Sequence, residues 1–149
     1  MKVVIDTNLL IDGVADDYNY GNRIIDAVLD GRIEAFANEA TLRENRLLSR
    51  RKISDEIYLN KLQNFFDAVK KAPRVEERIR ASEDRDDNKL LESAVAVSAD
   101  YLISSDKHLL VLQEYEGVKI VTPSQFWSIF EEESGSSWDN WVKNFLNQA

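Results

Sequence analysis

Two carboxylates in this sequence stand directly after short apolar runs of the kind that form buried strands. Asp6 follows the run at residues 3–5, and Asp106 comes shortly after the run at residues 101–103. In an open parallel sheet, binding sites form beyond the carboxyl ends of the strands. If these two strands are neighbours, their carboxylates converge. The spacing therefore predicts a pair of acids at one edge of a sheet.

Two further acids are predicted to lie on apolar faces of helices. Glu44 shares its predicted helix face with Leu47 and Leu48, and Asp87 shares one with Leu91. Burying an unpaired carboxylate costs several kcal/mol, roughly, so such a residue needs a partner or an ion. We expect both acids to join the first pair.

Four carboxylates in one pocket favour a bound cation. Two unit charges about 4 Å apart repel by about 4 kcal/mol at an effective dielectric near 20. An all-oxygen ligand set selects Mg²⁺ or Mn²⁺ over zinc. The sequence has no cysteine and a single histidine, His108, which excludes thiolate chemistry and sites with several histidines. Mg²⁺ on carboxylates is typical of enzymes that cleave phosphodiesters.

Some polar residues near these acids have a structural interpretation instead. Asp84 and Asp86 precede Asp87 at the start of one predicted helix, where the helix dipole favours acids. We interpret these two as capping residues and choose Asp87 as the site residue on helix-face grounds. Asn8 either only caps the next helix or both caps it and orients Asp6.

The elements that must position these acids alternate between strands and helices. Strands are predicted at residues 2–6, 33–37, 101–104 and 118–121, and helices at 18–30, 38–50, after 54, 87–98 and from 122. This alternation predicts an α/β fold with a mainly parallel sheet, and a length of 149 residues fits one domain. Residues 134–137 are predicted to be a linker. Residues 138–146 carry apolar side chains at the spacing of a short amphipathic helix.

The charge balance limits how the protein can meet nucleic acid. The net charge is −8, which is unusual for a protein that coats nucleic acid. Arg43, Arg46 and Arg50 form a basic face on the helix of Glu44, which either holds phosphates or is simply solvated. No apolar run is long enough to span a membrane and no export signal is present, so we expect a cytoplasmic protein.

Several segments together resemble the PIN-domain ribonucleases, including the VapC-type toxins of toxin–antitoxin systems. They are VVIDTN at residues 3–8, Glu44, the acidic stretch at 84–94 and the strand with its acidic turn at 99–106. The resemblance covers residues 1–130, which we assign to a PIN-like nuclease domain. It implies a three-layer α/β/α sandwich. Residues 131–149 are assigned to the linker and a C-terminal helix, packed on the domain or at an oligomer contact.

The resemblance also implies an activity and a set of roles. The activity is metal-dependent endoribonuclease cleavage of RNA, with the protein acting as the toxin of a pair. Asp6, Asp87 and Asp106 would bind Mg²⁺ or Mn²⁺, and Glu44 would bind metal or position the attacking water. Asn8 and Ser104 would support them. The expected partners are RNA, a small antitoxin protein and a second copy of the chain in a homodimer.

Two other functions remain open at this point. One is a phosphatase similar to the haloacid dehalogenases, with Asp6 as a covalent nucleophile. Such an enzyme needs an acid two residues later, and Asn8 is a poor one. The other is a non-catalytic binding module on the same fold. Metal binding separates that module from an enzyme, because ligands that bind the folded state stabilise it.

Overall fold

Strands and helices alternate through the computed structural model, which describes residues 1–12 and 20–147. The elements in chain order are β1 (Lys2–Ile5), α1 (Asn8–Asp12), α2 (Tyr20–Leu29), β2 (Glu34–Ala37), α3 (Glu39–Lys52), α4 (Glu56–Ala68), β3 (Lys70–Lys71), α5 (Arg85–Ala96), β4 (Tyr101–Ile103), α6 (Lys107–Leu110), β5 (Glu114–Tyr115), β6 (Val118–Val121) and α7 (Pro123–Asn147). The predicted strands and helix starts are confirmed to within a few residues. Residues 18 and 19 of the helix predicted at 18–30 lie outside the described residues.

The strands form one sheet in the order β3-β2-β1-β4-β6-β5. All neighbouring pairs are parallel except β5 and β6. In the register of β1 with β4, Ile5 stands opposite Ile103. The carboxyl ends of these two central strands therefore lie side by side, and Asp6 and Ser104 are the next residues on each.

Helices cover both faces of the sheet. Val3 and Ile5 are buried against α1, α2, α4 and the first turns of α7, while Val4 is buried against α5 and α6 on the opposite face. This alternation is what a strand buried on both faces requires. The three-layer α/β/α fold is confirmed.

Polar side chains fix the starts of the longer helices. The Asn38 side chain accepts from the backbone N–H of Ala40 at 2.8 Å at the start of α3. At the start of α7, the Thr122 hydroxyl accepts from the Gln125 N–H and the Gln125 side chain accepts from the Thr122 N–H. This reciprocal capping box satisfies two backbone donors that have no partner within the helix.

The prediction of a linker at residues 134–137 is wrong at the level of secondary structure. Helix α7 runs through this stretch without interruption. Serine and glycine lower helix propensity by about 1 kcal/mol or less, but unlike proline they remove no backbone donor. The helical prediction for residues 138–146 is confirmed. Phe145 and Leu146 are exposed, and the side chains of Trp138 and Trp141 lie outside the described part of the structure.

The short strand β5 was not predicted from the sequence. It pairs antiparallel with β6 through a tight turn in which Glu116 and Gly117 both have positive φ, at 46° and 85°. That geometry is typical of two-residue hairpin turns, and glycine adopts it without strain. Among the described helices, none is both long enough and apolar enough to cross a membrane.

Candidate metal centre

Asp6 is fixed where β1 ends beside β4. Its backbone N–H donates to the Ile103 carbonyl at 2.8 Å and extends the parallel ladder by one bond. Its carboxylate accepts from the Asn8 N–H at 3.2 Å and from the Ser104 hydroxyl at 3.0 Å. Asp6 therefore caps the start of α1, and the backbone of Asn8 contributes to holding the carboxylate in place.

Ser104 links the two sequence-distant acids at the sheet edge. It is fully buried, and its Oγ donates to Asp6 Oδ2 while accepting from the Asp106 N–H at 3.0 Å. A single hydroxyl can do both, because it has one proton and two lone pairs. The end of β1 and the start of α6 are thereby joined through one side chain.

Three carboxylates meet between the starts of α5 and α6. Asp84, Asp87 and Asp106 each offer an oxygen, and these oxygens all lie within 4.8 Å of one another. We call these three residues the acid cluster. Asp84 caps α5 by accepting from the Asp86 N–H at 2.8 Å, and Asp106 caps α6 by accepting from the His108 N–H at 2.8 Å. The starts of α5 and α6 therefore place Asp84, Asp87 and Asp106 close together.

Asp87 is the buried member of the acid cluster, with 4% of its surface exposed. Burial, followed by the negative charges of Asp106 and Asp84, raises its pKa from 3.8 to about 6. The Ser82 hydroxyl donates to Asp87 Oδ2 at 3.2 Å and acts in the opposite direction. The Ser82 hydrogen bond does not offset these effects, and no described lysine or arginine forms an ion pair with the ionised form of Asp87.

The structure places the three acids at this helix start, Asp84, Asp86 and Asp87, in different surroundings. Asp86 is exposed, pairs with Lys89 at 3.8 Å and lies outside the acid cluster, whereas Asp87 lies within it. Asp84 does cap the helix, as predicted, but it also belongs to the cluster, which the sequence reasoning missed. The available signal was the three-residue spacing of Asp84 and Asp87, because residues three apart lie on the same side of a helix.

The expectation that Glu44 lies in an apolar stripe is wrong. Glu44 is exposed and Leu47 is 53% exposed. The buried face of α3 instead passes through Leu42, Asn45 and Ser49. Glu44 is not a member of the acid cluster.

Buried polar residues explain why α3 is turned this way. The Asn45 side chain donates to the Thr7 hydroxyl, and the Ser49 hydroxyl accepts from the Gln63 side chain at 2.9 Å. Buried polar groups with partners replace hydrocarbon at little cost. Because Thr7 follows Asp6, this contact attaches α3 beside the site, one residue from Glu44.

The predicted basic face of α3 is partly occupied by partners. Arg46 lies 2.6 Å from the Asp67 carboxylate and over the ring of Phe66. Arg43 is exposed and lies 4.0 Å from Glu39, and Arg50 is exposed. The charge of Arg46 is therefore already compensated within the fold.

The donor set of the acid cluster fits a divalent cation. Across residues 1–12 and 20–147, no lysine or arginine forms an ion pair with any of its three acids. Carboxylate oxygens are the ligands that Mg²⁺ and Mn²⁺ prefer. A cation would also supply the positive charge that the buried Asp87 lacks.

Comparisons with known proteins agree with this geometry. The sequence model described as PIN domain matches residues 2–108, a stretch that begins with β1 and contains Asp6 and the whole acid cluster. A protein of Methanocaldococcus jannaschii, described as uncharacterized, is 26% identical over 145 residues, which cover 89% of this chain and 93% of that protein. No solved structure gives a significant match.

Proposed function

We propose, from the premise that this chain belongs to the PIN-domain family, that it is a metal-dependent endoribonuclease that hydrolyses phosphodiester bonds of RNA. One observation carries the proposal. Three carboxylates lie within 4.8 Å of one another, one of them is buried, and no described base pairs with them. Uncompensated charge of this kind at the end of central strands is typical of a functional site.

In this proposal, Asp87, Asp106 and Asp6 hold Mg²⁺ or Mn²⁺, and Asp84 adds a fourth carboxylate. A bound cation supplies activation of a water molecule and stabilises negative charge on the phosphate oxygens. Ser104 holds Asp6 and the backbone of Asp106 in fixed relation, and the Asn8 N–H holds the second oxygen of Asp6.

Glu44 keeps a proposed role as a further ligand or as the group that positions the attacking water. Its exposure leaves the carboxylate accessible to substrate water, and the Asn45–Thr7 hydrogen bond supports its helix beside Asp6. Arg43 and Arg50 remain proposed phosphate contacts. Arg46 is a weaker one because Asp67 already binds it.

The biological setting is also part of the proposal. We propose a cytoplasmic toxin that acts as a homodimer and is neutralised by a small antitoxin. A net charge of −8 suits a basic partner protein. Expression of the chain should arrest growth of a host cell, and co-expression of a small antitoxin encoded by a neighbouring gene should restore growth.

The phosphatase alternative loses its support. The residue two positions after Asp6 is Asn8, whose amide cannot exchange a proton as an acid would, and the matched family is a different one. The binding-module alternative differs from the nuclease in one measurable respect, because such a module would leave RNA intact whether or not Mn²⁺ stabilises it.

The decisive experiment compares cleavage of a labelled single-stranded RNA by the wild type, Asp106→Asn and Asp86→Asn in Mn²⁺. Both substitutions remove one charge near the start of a helix, but only Asp106 belongs to the acid cluster. We expect Asp86→Asn to cleave RNA at the wild-type rate. Asp106→Asn should lower the rate at least about 100-fold, because substituting a residue that merely supports a metal ligand already costs about 10–100-fold, and Asp106 is proposed as a ligand itself.

Three results would contradict the proposal. Cleavage by Asp106→Asn at the wild-type rate, or wild-type cleavage that persists in EDTA, would point to a contaminating nuclease or a different site. Stabilisation of the wild type by Mn²⁺ without any RNA cleavage would favour the binding module.

A further inference from the structure

A cleft of about 640 Å³ opens along the face of α5 that carries Arg85, Asn88, Lys89 and Glu92. Four basic residues line it: Arg78 and Arg80 from the segment before α5, and Arg85 and Lys89 from α5 itself. Asn38, the residue after β2, also lines it. Because β2 neighbours β1, the cleft lies at the same edge of the sheet as Asp6, one strand away.

The positive charge of this cleft is largely uncompensated. Within the described ranges, 1–12 and 20–147, Arg78, Arg80 and Arg85 form no ion pair. The one acid that lines the cleft, Glu92, accepts from the Ile79 N–H at 2.9 Å. In a chain of net charge −8, such a concentration of arginine favours an anionic ligand.

Hydrogen bonds hold the arginine-bearing segment against α5. The Asn88 side chain donates to the Ser82 carbonyl at 2.7 Å and accepts from the Ser82 N–H at 2.9 Å. Together with the Glu92–Ile79 bond, this attaches the segment at two points. The cleft is therefore preformed, which reduces the entropy lost when a ligand binds.

Helix α5 serves both the cleft and the acid cluster. Asp87 lies in the cluster, and Lys89, two residues later, lines the cleft. An acidic protein segment could also meet the arginines and offer carboxylates to a cation, but it contains no phosphodiester bond for the proposed nuclease to cleave. A polynucleotide offers phosphates to both.

We propose, resting on the nuclease function proposed above, that this cleft binds backbone phosphates of the RNA strand on one side of the cleaved bond. Arg78 and Arg80 are the principal contacts, because a guanidinium can bind a phosphate through two parallel hydrogen bonds. Such contacts give affinity and position without reading the bases. The cleft therefore tolerates many sequences and binds more weakly as salt rises.

The test compares Arg78→Gln/Arg80→Gln with the control Arg32→Gln/Lys119→Gln. Both pairs remove two exposed positive charges, but Arg32 precedes β2 and Lys119 lies near the opposite end of the parallel strands. Binding of labelled single-stranded RNA is measured by fluorescence anisotropy in EDTA at several salt concentrations. Melting temperatures of both variants establish that they fold.

We expect the cleft variant to bind about tenfold more weakly at low salt, as the loss of charged hydrogen bonds implies. The slope of log Kd against log salt should fall by about 1.4, since each phosphate contact to a single strand contributes about 0.7. The control should change Kd by less than about twofold. In Mn²⁺, the cleft variant should raise KM for RNA cleavage and leave kcat near the wild-type value.

The outcomes distinguish failure of the cleft assignment from failure of the proposed nuclease function. Equal Kd and slope in the two variants would overturn the cleft assignment even if the wild type cleaves RNA. Cleft-dependent binding without Mn²⁺-dependent cleavage would support the cleft and reject the nuclease. A cleft variant that loses affinity for polyglutamate but not for RNA would overturn the assignment to RNA.

Discussion

Two regions at the sheet differ in how their acids are paired. Acids beside β3 form ion pairs with lysines, whereas the acid cluster at the centre of the carboxyl edge has no described base as a partner. Beside β3, Lys70 lies 3.2 Å from Glu34, and Lys71 lies 3.1 Å from Glu39. The hydrogen bond and charge of Lys71 hold the pKa of the Glu39 carboxyl below its usual value. These exposed pairs contribute little to stability, but their charges are satisfied.

The acid cluster satisfies none of its charges in this way. Three acids converge there, the most buried one has a pKa raised to about 6, and no described base pairs with them. Both regions are rich in acids, so composition alone does not distinguish them. The comparison shows that the acid cluster differs from the acids beside β3 in two respects, the absence of a described pairing base and the burial of Asp87.

The largest effect expected from the difference between the two regions is stabilisation of the folded protein by a metal ion bound at the acid cluster. At 100 times its Kd, a bound ion stabilises the folded state by about 2.7 kcal/mol, which raises Tm by roughly 5–10 °C at this chain length. We expect Mn²⁺ to do this for the wild type and for Asp67→Asn, which alters only a paired acid. Asp106→Asn should lose most of the shift in a thermal melt, and an equal shift in all three proteins would show that the ion binds elsewhere.

The pH dependence of the metal-free protein is the next largest effect. Because the pKa of Asp87 is higher in the folded chain than in the unfolded chain, the folded state binds more protons between about pH 4 and pH 6. The contribution of Asp87 to the free energy of unfolding therefore falls as pH rises through this window and stays lower above it. The full shift corresponds to about 3 kcal/mol, and water around the exposed Asp84 reduces this to about 1–2 kcal/mol.

Asp87→Asn removes the carboxylate whose ionisation lowers the free energy of unfolding. In EDTA at pH 7.5, we expect this variant to be more stable than the wild type by about 1–2 kcal/mol, and the two should converge near pH 4. Urea denaturation at a series of pH values measures the difference, with Asp86→Asn as the matched control. A destabilised Asp87→Asn at pH 7.5 would mean that the ionised carboxylate has a compensating partner.

The smallest effect concerns the paired region. Asp67→Asn breaks the ion pair with Arg46, and an exposed pair of this type is worth about 0.2–1 kcal/mol. We expect a loss of that size in chemical denaturation, diminishing in high salt, with no change in RNA cleavage. A clear loss of cleavage would place Arg46 and its partner in the substrate site and weaken the contrast between the two regions.

Local signals were sufficient to predict most of the fold. Apolar runs located β1 and β4, and the pattern of threonine, proline and glutamine at residues 122–125 located the start of α7. The continuity of α7 through residues 134–137 was missed because glycine and serine weaken a helix without ending it. The pairing of β5 depends on a neighbouring strand, which local propensity does not reveal.

The site was less predictable because its contacts join distant parts of the chain. The helix face distinguished Asp87 from Asp86 correctly as to burial. It misplaced Glu44, because the buried face of α3 passes through Asn45, whose hydrogen-bond partner Thr7 lies 38 residues earlier. Asp84 fulfils its capping role locally, and nothing local indicates that α6 brings Asp106 beside it.

The hydrogen bond between Asp6 and Ser104 spans 98 residues and determines when the site can exist. Contacts of such long sequence separation form late in folding, and during synthesis the N-terminal portion emerges first. A nascent chain that has reached only α4 has β1 and β2 but lacks β4, Ser104 and the entire acid cluster. An N-terminal fragment that ends at α4 therefore cannot contain the acid cluster, which can assemble only after the start of α6 has been synthesised.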